Sequence, residues 1–109
     1  MLSLDDAIKL VREKSPDDLI RTYFEYKDEY RFFTSLKQNF SIENSPAGLT
    51  IVNKNTGEIR FEPAMKIYYD FLKAGEAGMK ERQNYKEAEK KMQPVDLTEE
   101  QWKQVQAWL

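Results

Sequence analysis

Three carboxylates, Glu25, Asp28 and Glu29, stand close together in an otherwise aromatic stretch and are the side chains best placed for acid–base work. A small hydrolase using carboxylates alone would need them in a concave pocket, one with its pKa raised so that it keeps a proton near neutrality. The chain has no cysteine and no histidine. The first absence removes disulfides, thiolate nucleophiles and zinc–sulfur sites. The second removes the commonest general base and imidazole metal ligation. Two further acidic pairs, Asp5-Asp6 and Asp17-Asp18, suggest a cation site, but they lack the spacing of a ligand loop, and helix capping and turn formation account for them more simply. The expectation is therefore no catalytic residue, no metal and no cofactor.

A second chemistry is stacking. Tyr23 and Phe33, beside Arg21 and Arg31, would form a single-stranded nucleic-acid surface if they lay exposed on a sheet. Glu25, Asp28 and Glu29 interrupt that basic company, and 17 basic against 19 acidic residues give a net charge of −2. Such a balance supplies no long-range attraction for nucleic acid or for an anionic membrane, so neither is expected as a partner. No apolar run approaches a membrane span, and the opening MLSLDDAIKL lacks the basic lead and apolar centre of a signal peptide. The expected location is the cytoplasm.

The elements that must position these residues are legible in part. Ser3 reads as an N-cap, with Asp5 and Asp6 in the first turn and Leu4, Ala7, Ile8 and Val11 on one face of a helix that Ser15-Pro16 ends. Leu19–Tyr26 and Tyr30–Leu36 read as strands. A three-residue turn at Lys27-Asp28-Glu29 would pair Tyr26 with Tyr30, Phe24 with Phe32 and Thr22 with Thr34. Leu49–Asn53 and Glu58–Glu62 form a hairpin around Lys54-Asn55-Thr56-Gly57. In it Gly57 takes the left-handed conformation and Asn53 accepts turn amides. If Asn53 pairs with Glu58, Val52 faces Ile59 and Thr50 faces Phe61, whereas a one-residue slip would exchange the faces. Leu49 and Ile51 fall on the opposite face, which must then be partly covered as well.

Between these strand pairs Lys37–Gly48 is a loop, with Ser45-Pro46-Ala47-Gly48 matching a type I turn. Its Phe40 and Ile42 either tuck over the sheet edge or belong to a binding loop. Pro63 opens a helix to about Ala74, stopped by Gly75, whose buried stripe is Ala64, Ile67, Tyr68, Phe71 and Leu72, widened by Met65 and Tyr69. Residues 76–95 read as a charged helical segment, solvated, with Met79, Tyr85, Ala88 and Met92 as its apolar positions; Gln93-Pro94-Val95 breaks the chain. Thr98 to Gln101 is a capping box opening a last helix over 96–109. Its Trp102, Val105 and Leu109 share a face, joined at the margin by the more exposed Trp108. So short a helix must dock, either on its own domain or on a partner.

The opening LSLDDAIKLVREKSP and the segment VNKNTGEI resemble a loose group of small α+β proteins, PepSY-like and immunity-protein-like, common in phages and prophages of Gram-positive bacteria. The resemblance covers about residues 1–61 and implies no catalytic residue. The whole chain is expected to be one α+β domain of 109 residues: an N-terminal helix, a four-stranded antiparallel meander and two to three C-terminal helices, with 1–75 as an αββββα core. The leading functional expectation is a non-enzymatic protein-interaction module, with Phe40, Ile42, Trp102, Val105, Trp108 and Leu109 as the candidate surface and a protein partner, a second copy of the chain included.

Overall fold

The structure, a computed structural model, describes residues 1–38, 40–46 and 48–109. The expected turn at 45–48 runs through Ala47 and lies outside the described residues. Among those described, four helices surround five strands, all paired antiparallel. The elements are α1 (Leu4–Lys14), β1 (Asp18–Tyr26), β2 (Glu29–Leu36), β3 (Gly48–Asn53), β4 (Ile59–Pro63), α2 (Ala64–Lys73), α3 (Gly75–Glu89), β5 (Gln93–Pro94) and α4 (Glu99–Trp108). The sheet order is β4-β3-β2-β1-β5. The fold is α+β, as expected, with one strand more than the four-stranded meander.

The extra strand is the segment Gln93-Pro94, which the proline marked as a break. It pairs with Thr22 and Tyr23 of β1 at the sheet edge, a position where a residue without an amide proton is tolerated. Val95 and Asp96 extend the attachment by donating their amides to the carbonyls of Arg21 and Ile20, at 3.0 and 2.9 Å. The Asp96 carboxylate then receives Arg12 of α1 at 2.8 and 3.1 Å and the Ile20 amide at 2.9 Å. One side chain thus joins α1, β1 and the end of β5.

The 49–62 hairpin forms in the expected register, with Val52 opposite Ile59 and Thr50 opposite Phe61. Gly57 has φ 74°, and Asn53 Oδ1 accepts the amides of Asn55 and Thr56 at 2.8 and 3.0 Å. The β1–β2 turn does not follow the expected pairing. Two residues, not three, close it: Tyr26 pairs with Glu29, and Lys27 adopts φ 54° without the help of a glycine. A two-residue loop matches the twist of the flanking strands. The one-residue slip places Tyr23, not Phe24, opposite Phe32, so Phe24 and Phe32 face opposite sides of the sheet. An irregularity at Arg21 then restores Ile20 to the side of Phe32.

Two cores result. On one face Ala7 and Val11 of α1 bury Ile20, Tyr30, Phe32 and Val52. On the other, Phe24, Leu49 and Ile51 meet Ile67 of α2, Tyr85 of α3 and Met92. The segment read as solvated is the helix that covers β1: Tyr85 and Met92 are buried, and Ala88 packs beside them. Pro63 closes β4 and caps α2 rather than occupying its first turn. At the α2–α3 elbow Gly78 lies against the Phe71 carbonyl so closely that a Cβ would overlap it.

Gly57→Val should cost on the order of 1–2 kcal/mol or more, because a branched residue is strained at positive φ and its Cβ would press on Leu2. Chemical denaturation of the variant against the parent measures it. Asp96 provides a pH test. Burial alone would raise its carboxyl, but the Arg12 hydrogen bonds and the Ile20 amide outweigh this and hold it below its ordinary range. A depressed folded-state pKa contributes stability above the unfolded value of about 3.9, lost as pH falls through the lower folded value. Asp96→Asn should therefore melt lower than the parent at neutral pH. The gap should narrow as acid protonates the parent, as thermal melts from about pH 7 down to about pH 2 would record.

Candidate functional site

Of the three carboxylates, Glu25 and Glu29 are engaged in ion pairs, while Asp28 is exposed and its backbone carbonyl accepts the Lys54 amide at 2.8 Å. Glu25 reaches out to Lys54 at 2.6 Å. Glu29 is partly buried, which alone would raise its carboxyl, but Arg60 and Arg31 bind its two oxygens and hold the pKa down. That is the opposite of what proton donation near neutrality needs. Arg31 and Glu29 begin a chain of alternating charge: Arg31–Glu29 at 2.8 Å, Glu29–Arg60 at 2.5 Å, Arg60–Glu62 at 3.2 Å, and Lys66 at 3.6 Å from both Glu62 and Asp70. It runs from the buried β2 through the β4 edge onto α2, each cation shared with a carboxylate.

Beside this chain lies a cavity of about 190 Å³ walled by Tyr26, Ile67, Phe71 and Tyr85. The Arg31 guanidinium stacks there between the rings of Tyr26 and Tyr85, 5.3 and 5.2 Å from their centroids, and donates to Tyr85 Oη at 3.4 Å. Tyr85 also meets Phe24 and Tyr26 edge-on at 5.4 and 5.0 Å. A cage of aromatic rings ordinarily suits a cation, and here the chain's own arginine lies between two of the rings. Arg21 is buried as well, donating to the carbonyls of Asn44 and Ile42 at 2.6 and 3.2 Å with Phe40 stacked on it. The surface imagined for single-stranded bases is therefore absent: both arginines face inward, and Tyr23 and Phe33 pack against the two cores. Among the described residues no group of acidic side chains could hold a metal ion, and no helix is long and apolar enough to cross a membrane.

The six residues of the expected interaction surface separate. Trp102 and Val105 of α4 pack against the second core behind an intact capping box, Thr98 with Gln101. Phe40 and Ile42 are half-buried around Arg21. Trp108 is 60% exposed and, with Ile42 and Pro46, borders a surface hollow of about 320 Å³. Leu109, expected on the docked face, is 58% exposed. The structure brings Ile42 and Trp108 together but gives the six no common surface.

The surface that sequence reasoning missed is on α2. Its buried side is only Ile67, with Phe71 and Ala64 partly covered. Met65 (62%), Tyr68 (46%), Tyr69 (54%) and Leu72 (61%), all expected inside, are open to solvent. At spacings of three, four and seven they form one outward stripe. The signal was present in the width of the pattern: apolar positions cover more than half of the helix circumference, and one sheet face can take only a part. No family model matches this chain, nor does any curated protein or solved structure match it significantly.

Burial pushes the Tyr85 phenol up to about 12, although Arg31 opposes the shift. A raised folded-state pKa contributes stability that is complete below the unfolded value of about 10 and lost as pH rises toward the folded one. The protein should therefore lose stability with alkali across that interval. Tyr85→Phe, which removes the titrating group, should show a weaker loss there. Ultraviolet titration of tyrosinate alongside thermal melts tests both statements.

Proposed function

We propose that this protein is a non-enzymatic interaction module, working in the cytoplasm, that presents α2 to a protein partner. The observation that carries the reading is the outward stripe of Met65, Tyr68, Tyr69 and Leu72. About half of each of these large side chains, at about 200 Å² apiece, leaves on the order of 400 Å² of apolar surface in one place. Patches of about 300–600 Å² are the largest that ordinary monomers expose, and they are often functional. Three further features support the reading. Two of the three acid–base candidates, Glu25 and Glu29, are held in ion pairs, the Arg31 guanidinium lies between the rings of Tyr26 and Tyr85, and the elements under the stripe pack against the sheet. The resemblance of residues 1–61 to small phage and immunity proteins agrees with an origin on a mobile element.

A photoreactive phenylalanine analogue at Tyr69, in the chain expressed in its native cell, should give a discrete cross-linked adduct on illumination. The same analogue at the exposed Lys9 of α1 should not. No adduct at Tyr69, or an equal smear from both positions, would sink the reading.

A further inference from the structure

The charges around the stripe specify what it can receive. Lys66 is shared between Glu62 and Asp70, but Lys73, Arg82 and Lys86 have no ion-pair partner among the described residues. Lys73 follows Leu72 and stands one helical turn beyond Tyr69, so it borders the stripe on one side. On the other, the Arg82 guanidinium lies 5.0 Å from the Tyr68 ring, and Lys86 lines the same small crevice between α2 and α3. The acidic group of that crevice, Glu89, is partly buried, and desolvation raises its carboxyl despite Lys86. In a chain of net charge −2, this broad apolar stripe therefore has a basic border.

We propose that this stripe binds an amphipathic helix whose apolar anchors, at spacings of three, four and seven, are flanked by Asp and Glu. The proposal rests on the interaction-module reading and names its partner chemistry. Helix-in-groove recognition uses such anchors, and the two turns from Met65 to Leu72, about 10 Å long, match two turns of a partner helix. A second copy of this chain fits less well. Its own basic border would meet the same border across a two-fold axis, and on the order of 400 Å² is about half of what each side of a standard interface buries. A lipid surface fits less well because two turns offer little face to insert.

The test is a display library of helical peptides of about 15 residues, with fixed leucines at the anchor spacing and flanking positions randomised among Glu, Lys, Gln and Ser. It is selected on the whole chain. The proposal expects enrichment of Glu at the flanks. It also expects binding of the enriched peptides to fall at least about tenfold with Leu72→Asp, and their preference to shift toward Lys flanks with Lys73→Glu/Lys86→Glu. All three positions are exposed, so unchanged melting shows that the variants fold. Neutral or basic flanks among the winners, or binding indifferent to Leu72→Asp, would overturn it. So would Leu72-dependent dimerisation in sedimentation, or Leu72-dependent attachment to vesicles of about three parts phosphatidylcholine to one part phosphatidylserine. An adduct at Tyr69 with a protein partner, together with non-acidic winners, would remove this inference alone; no adduct would remove the module reading beneath it.

Discussion

Every residue of β3 from Gly48 to Val52 is buried, so the middle of the sheet has no face left for water. The rest of the molecule follows from that constraint. A strand covered on both sides needs a helix layer on each, which α1 supplies through Ala7 and Val11, and α2 and α3 through Ile67 and Tyr85. The second layer must also span from β3 and β4, beneath α2, to β1, beneath α3. The close approach of Gly78 to Phe71 lets those two short helices act as one slab. Fully burying residues such as Leu49 and Ile51 is worth about 1.5–3 kcal/mol each, far more than any surface ion pair here. Burial therefore decides the architecture, and charge arranges its margins.

That ordering explains why a poorly amphipathic helix is nonetheless ordered. The α3 segment carries few apolar residues, and judged by its own pattern it belongs in solvent. Its largest buried side chain is Tyr85, with Gly78 and Ala88 also packed. Tyr85 enters a ring of aromatic partners, Phe24, Tyr26 and Phe71, with Arg31 stacked upon it. Tertiary packing supplies most helical stability in proteins, so a few contacts centred on one large side chain outweigh a weak periodicity.

What was legible in the sequence divides along the same line. Features encoded locally came through: the Ser3 and Thr98 caps and the Asn53–Gly57 turn. The hairpin register, open to a one-residue slip in the sequence, is settled by the pairing of Val52 with Ile59. Features settled by distant partners did not. The β1–β2 register turned on whether Lys27 would accept a left-handed conformation, which its identity does not announce. Gln93-Pro94 reads as a break until β1 offers an edge to pair with. The apolar width of α2 was visible, but which part meets the sheet depends on where Ile67 and Phe71 find room. The resulting exposed stripe could not be told from core by spacing alone.

The outward stripe is held in place rather than left over. Ile67 and Phe71 already occupy the space above Leu49 and Ile51, so rolling α2 to bury Tyr68 and Leu72 would expel them. The ion pairs from Glu29 through Arg60 and Glu62 to Lys66 resist the same rotation from the β4 side, and Arg82 stacked on Tyr68 resists it from α3. None of these polar contacts is strong by itself, since each is partly solvated. Together with the packed underside they leave the helix one orientation. A rigid apolar stripe loses little conformational freedom on meeting a partner, and such pre-organisation lowers the cost of association. The geometry that closes the core is thus the geometry that makes the outer face usable.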